Sequence, residues 1–131
     1  MKTILVDAVH CLIIEKDNKF QVFQDLYNLL EKYPNEKIIL TGADDKETKK
    51  FGLNGVSYKV FTLKHNPEKT DPEYYKIMLK ELYLQKENVV YFEHSEKAVK
   101  SAQSVGINTY YYNDKVKNLE KLKKFLDDSL K

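Results

Sequence analysis

Ile4-Leu5-Val6-Asp7 is a short unbroken apolar run that ends on an acid. A run without alternation fits a strand covered on both faces, as in a parallel sheet between two helical layers. Lys37-Ile38-Ile39-Leu40-Thr41 repeats the pattern, and Asn88 to Phe92 and Asn108 to Tyr112 give two further strands. Val56 to Leu63 alternates in the manner of a strand and supplies the remaining one. Amphipathic stretches lie between them. Asn18 can cap a helix carrying Phe20, Phe23, Leu26, Leu30 and Tyr33, with residues 11–17 before it as a small extended flap. A short helix runs from about Asp45 to Phe51 and stops at Gly52 and Gly55. Thr70 with Glu73 reads as a capping box, and Pro72 suits the first turn of the helix bearing Tyr75, Met78, Leu79 and Leu82. Ala98, Val99, Ala102 and Val105 line another helix closed by Gly106; Val116, Leu119, Leu122 and Leu126 define the last.

The order βαβαβαβαβα predicts an α/β fold: a three-layer, doubly wound, five-stranded parallel sheet in one domain over residues 1–131. Ligands of such sheets bind past the carboxyl ends of the strands, where strand order reverses. The residues to watch are therefore Asp7 to Cys11, Thr41 to Asp44, His65 to Asp71 and Glu93 to Glu96.

Composition narrows the partners. The formal charge is +2, which favours neither nucleic acid nor membrane. All 22 basic residues are lysines, so a bidentate guanidinium fork onto phosphate is absent and an anion must be met by lysine or backbone N–H. Composition does not choose between a small phosphorylated ligand and a protein partner. Cys11, the only cysteine, forms no internal disulfide, and the apolar start meets Asp7 too early for a signal peptide; a cytoplasmic setting is the expectation.

The four strand-end segments resemble the four motifs of the haloacid dehalogenase-like (HAD-like) hydrolases, in order along essentially the whole chain. Asp7-Ala8-Val9-His10-Cys11 is similar to the first motif, an Asp followed two residues later by a second Asp and then by Gly-Thr or Gly-Val. Ile38-Ile39-Leu40-Thr41-Gly42 resembles the second, an apolar strand ending in Thr or Ser. Lys69-Thr70-Asp71-Pro72-Glu73-Tyr74-Tyr75 resembles the third, a lysine in a Lys-x-Asp-Pro-x-x-Phe setting. Val89-Val90-Tyr91-Phe92-Glu93-His94-Ser95, with Ala98 after it, stands in the place of the fourth. The resemblance implies a HAD-like Rossmannoid fold. With only residues 8–40 between Asp7 and Thr41, there is no room for a cap domain.

It also implies roles. Asp7 would be the nucleophile that forms an aspartyl-phosphate. Thr41 and the backbone of Gly42 and Ala43 would hold phosphoryl oxygens, and Lys69 would offset the charge of carboxylate and phosphate brought together. A metal would be met by Asp7, the Val9 carbonyl, Glu93 and the residue at position 94. Here the sequence departs from the pattern. Val9 replaces the acid that protonates the leaving group, a role worth about 10²–10⁴-fold. His94 stands where a metal-binding Asp is expected, and Ala98 where a supporting acid or amide often lies. Mg2+ prefers hard oxygen ligands, so its binding is expected to be weak.

Plainer readings stand beside these. Asp7 can solvate a strand end, Thr41-Gly42 can be a turn, Lys69 can be a solvated lysine, and Glu93 can be a surface residue. His10, His65 and His94 all follow strands and, with Asp7, Glu93 and Cys11, could build a transition-metal site. The tyrosines of Tyr110-Tyr111-Tyr112 read as core and rim, and the lysines from Lys115 to Lys124 as a solvated helix face. Three functions follow: a degenerate HAD-like domain acting as a binding or regulatory module, a weak or specialised phosphohydrolase using Asp7, and a phosphoacceptor receiver. The receiver ranks last because it needs paired acids after its first strand.

Overall fold

A computed structural model describes residues 1–131. Strand β1 (Thr3–Asp7) is followed by a hairpin of β2 (Ile13–Lys16) and β3 (Lys19–Val22), then α1 (Gln24–Leu30), β4 (Lys37–Thr41), α2 (Asp45–Lys50) and β5 (Lys59–Thr62). The second half is α3 (Pro72–Glu81), β6 (Val89–Glu93), α4 (Glu96–Ser104), β7 (Asn108–Tyr111) and α5 (Leu119–Ser129). The main sheet has the order β5-β4-β1-β6-β7 and every pairing in it is parallel. The chain thus winds outward from β1 to β4 and β5, then crosses to β6 and β7. The reversal sits at β1, with Asp7 opposite Leu40 on one side and Val6 opposite Phe92 on the other.

Alternation along β1 sends its side chains into two cores. Ile4 and Val6 join Ile39, Val90, Phe92, Leu26 and Leu30 of α1, and Leu122 and Leu126 of α5. Leu5 joins Ile38, Leu40, Tyr91, Met78 of α3 and Ala102 of α4 on the opposite face. Burial on both faces is the physical reason these strands read as continuous apolar runs. No helix is long and apolar enough to cross a membrane.

The structure corrects several element boundaries. Asn18 does not cap a helix: Asp17 and Asn18 adopt φ of 54° and 62° and form the tight turn of the β2–β3 hairpin. Two consecutive left-handed residues match the twist of a two-residue hairpin, and Asp and Asn tolerate that conformation better than most. Phe20 therefore lies on a strand and packs edge-on against Phe51, and α1 starts only after Phe23. At α3 the cap is Asp71, not Thr70; Asp71 accepts from the backbone N–H of Glu73 at 3.0 Å, and Pro72 takes the first turn as expected. The capping box lies instead at α2, where Asp44 and Glu47 bond reciprocally. β5 is shorter than the alternation of residues 56–63 suggests. Val116 is exposed ahead of α5, which begins beyond the Asn118 cap. Tyr112 lies past β7, buried against Phe92, while Tyr110 stacks on Phe125.

Between β1 and β4 the chain holds only the flap hairpin and α1. Tight backbone bonds, from Cys11 N–H to the Ala8 carbonyl at 3.1 Å and from Ile13 N–H to the same carbonyl at 2.9 Å, turn the chain straight back beneath Asp7. Cys11 and Leu12 are thereby buried under the strand end.

Candidate functional site

The carboxyl ends of β1, β4 and β6 bring Asp7, Thr41 and Glu93 to one crevice, and all three are buried. Lys69, from the loop that precedes α3, reaches in and binds both acids. Its Nζ lies 2.7 Å from Asp7 Oδ1 and 2.6 Å from Glu93 Oε1, and it also donates to the Leu40 carbonyl at 3.1 Å. Tyr91 and Glu93 stand two residues apart on β6 and so share a face, which lets the Tyr91 hydroxyl donate to Glu93 Oε1.

The other oxygen of Asp7 is equally engaged. Oδ2 accepts from the backbone N–H of His94 at 3.1 Å, meets the His94 Nδ1 side-chain atom, and receives the Cys11 thiol at 3.4 Å. His94 Nδ1 lies 3.1 Å from Glu93 Oε2, so this imidazole sits between the two carboxylates. Glu93 Oε2 also accepts from Ser95 N–H at 2.9 Å. The ring of His10 packs edge-on against that of His94, with centroids 5.0 Å apart.

These contacts set the charges. Burial works against ionisation of Asp7, but the Lys69 ammonium and the His94 hydrogen bond overcome it and hold the carboxyl well below the usual carboxylate range. Burial likewise pulls Lys69 down, and Asp7 and Glu93 outweigh it, keeping the ammonium charged. For His94, burial lowers the pKa while hydrogen bonds and charge from Asp7 and Glu93 raise it to about 10. Burial pushes the Cys11 thiol up, and the negative charge of Asp7 and Glu93 pushes it further. At neutral pH an ionised Asp7 therefore faces an ammonium and an imidazolium.

A cavity of about 180 Å³ opens from this cluster, lined by Asp7, Val9, Thr41, Gly42, Ala43, Lys69 and His94 on its inner side. Thr41 Oγ1 accepts from Ala43 N–H at 3.1 Å, which fixes the loop after β4. On the outer side His65 bridges two acids: Nδ1 lies 2.8 Å from Glu68 Oε1 and Nε2 contacts Glu47 Oε1. The hydrogen bond with Glu47 raises the His65 pKa, and the same bond lowers that of Glu47.

The structure thus brings together Asp7, Val9, Thr41, Gly42, Ala43, Lys69 and His94 around the cavity, with Glu93 behind them. It separates the histidines: His10 and His94 are neighbours near Asp7, whereas both ring nitrogens of His65 are turned to Glu47 and Glu68. Tyr91 and the Glu47–His65–Glu68 bridge escaped the sequence reading. The spacing of Tyr91 to Glu93 was a usable signal; nothing in the sequence pairs α2 with the loop after β5.

No protein-family model and no curated sequence matches the chain. Solved structures do. A HAD-family enzyme of Bacteroides thetaiotaomicron, an Asp-to-Ala mutant in complex with magnesium and inorganic phosphate, superposes with a TM-score of 0.71 at 14% identity, covering 87% of this chain and 95% of that one. An uncharacterised protein of Corynebacterium glutamicum gives 0.70 at 19% identity, covering 97% and 96%. An uncharacterised protein of Listeria monocytogenes gives 0.66 at 15% identity, covering 86% and 79%.

Proposed function

From the HAD-like fold that this chain shares with those structures, we propose a degenerate HAD-like hydrolase domain, one unit over residues 1–131. It lacks efficient Mg2+-dependent phosphatase activity and serves as a binding or regulatory module. One observation carries the reading: both oxygens of Asp7 are already engaged, Oδ1 by Lys69 and Oδ2 by His94 and Cys11.

The donor set supports the same conclusion for the cofactor. Mg2+ seeks near-octahedral oxygen ligands. Asp7, Glu93 and the Val9 carbonyl are the oxygens on hand, and His94 holds its imidazole between the two carboxylates. Mg2+ gains little from displacing the His94 proton, because an imidazole nitrogen is a poor ligand for so hard an ion, and the Lys69 ammonium stays against the same acids. The residues do not fit Mg2+ well. Val9 offers no proton to a leaving group, a loss of about 10²–10⁴-fold by itself.

Ligand binding is the remaining use of the cavity. The Thr41 hydroxyl, the Gly42 backbone and the positive charge of Lys69 suit an anion, whereas the Ala43 N–H is already given to Thr41 Oγ1, and Glu47 and Glu68 at the rim oppose a highly charged ligand. A small phosphorylated ligand or a protein partner is the proposed occupant, neither nucleic acid nor membrane, with a cytoplasmic setting.

A weak or specialised phosphohydrolase is the second reading, favoured by the ionised Asp7 and the Lys69 beside it. The magnesium and phosphate of the Bacteroides enzyme make that chemistry a fair comparison. Hydrolysis of a broad phosphomonoester panel with Mg2+ or Mn2+, run beside Asp7→Asn, separates the two. The module reading expects no turnover above the variant; turnover abolished by Asp7→Asn makes the chain an enzyme.

A further inference from the structure

We propose that Asp7, Cys11 and His94 form a transition-metal site, of the class that takes Zn2+, where HAD-like enzymes hold Mg2+. The proposal rests on the reading that this chain has lost its Mg2+ site. Three different donors converge: a carboxylate oxygen from the end of β1, a thiol from the turn beneath it, and a ring nitrogen past β6. Cys11 Sγ lies 3.4 Å from Asp7 Oδ2, and His94 Nδ1 touches the same oxygen. All three atoms lie within 4.8 Å of one another. Zinc bonds of about 2.0–2.3 Å place the ligand atoms of a tetrahedral site roughly 3.3–3.7 Å apart, so small side-chain adjustments suffice.

The surroundings orient these donors. Lys69 holds Asp7 through Oδ1, and Oδ2, which the protonated His94 and Cys11 side chains now meet, turns to the ion once those two groups give up their protons to bind it. His10 packs edge-on against the His94 ring. Asp7 and Cys11 are 2% and 0% exposed, whereas the His94 side chain is 26% exposed at the cavity wall. That leaves a fourth position on the cavity side for water or a ligand, as in zinc sites that bind exogenous molecules. A sulfur, nitrogen and oxygen set selects zinc-like ions over Mg2+. On entry of the ion the thiol and imidazolium protons leave to solvent, and the charge of the cluster is unchanged.

The other histidine–acid group, Asp44, Glu47 and His65, is the weaker candidate. His65 spends both ring nitrogens on Glu47 and Glu68, and Asp44 and Glu47 cap α2.

Co2+ titration of untagged protein, followed by absorption with Zn2+ as competitor, tests the site. Cys11 is the only cysteine, so a thiolate-to-cobalt charge-transfer band can arise nowhere else. The expected result is a band that saturates at one equivalent, disappears on adding Zn2+, is lost in Cys11→Ser and His94→Ala, and persists in His65→Ala. A wild-type protein without the band overturns the proposal. So does a Zn2+-induced melting shift lost in His65→Ala but kept in folded Cys11→Ser. The two claims fail separately: Asp7-dependent turnover with Mg2+ defeats the functional reading, whereas a missing cobalt band defeats only the metal site.

Discussion

Lys69→Met removes the cation that two buried carboxylates share. The Lys69 side chain is itself only 15% exposed, and it bridges Asp7 and Glu93 at 2.7 and 2.6 Å. Taking one partner from a buried ionic group, so that its counter-charges are left behind, destabilises by about 3–5 kcal/mol. For a chain of this size each kcal/mol lowers the melting temperature by about 3–5 °C, so the expected drop at neutral pH is roughly 10–25 °C. The sign with pH follows from Asp7. In the native chain its carboxyl is held low, so its contribution is complete above the unfolded carboxylate range and is lost only in strong acid. Without Lys69, burial meets less opposition and the carboxyl titrates higher, so mild acid relieves the variant. The deficit should narrow between about pH 7 and about pH 4.5. Urea unfolding of both proteins at the two pH values reads this directly. A deficit under about 1 kcal/mol at neutral pH, the scale of an exposed ion pair, would refute the buried-bridge argument. A deficit independent of pH would refute the titration argument.

His94 gives a second pH signature. Its pKa is raised to about 10, so the stability it contributes is complete below the unfolded histidine value and lost as pH rises towards 10. Thermal melts should fall across that window in the wild type, and the difference from His94→Asn should shrink with it. Gly106 has a φ of 94°, and an added Cβ would meet Lys86 Cδ at 2.8 Å. Gly106→Ala should destabilise by about 1–3 kcal/mol in urea titration; a neutral result would mean the turn after α4 relaxes freely. Asp44→Ala removes the capping box of α2 and should cost about 1 kcal/mol, measured in the same way.

The five-stranded parallel sheet and most of the crevice were legible in the sequence because both rest on local chemistry. Ile4-Leu5-Val6 and Ile38-Ile39-Leu40 are apolar on both faces, and Asp7, Thr41 and Glu93 follow or end such runs. Lys69 was found by its place before Asp71-Pro72. The flap was misread because Phe20, Phe23 and Leu26 satisfy helical spacing, and only the paired left-handed conformations of Asp17 and Asn18 reveal the hairpin. The Asp71 cap was missed for a smaller reason, since Thr70 and Asp71 are both good caps one residue apart. What the sequence does not contain is the convergence of His94 and Cys11 on a single Asp7 oxygen, or the reach of Glu47 and Glu68 to His65. Those contacts depend on how β6 and the turn after β1 approach each other, and on α2 meeting the loop after β5.

Lys69 and His94 already satisfy the carboxylates a magnesium ion would need. Calorimetric titration of Mg2+ into the wild type and His94→Asp should show no saturable binding to the wild type at millimolar Mg2+ and measurable binding once an oxygen ligand replaces the imidazole. Tight Mg2+ binding by the wild type, with no gain in His94→Asp, would contradict it.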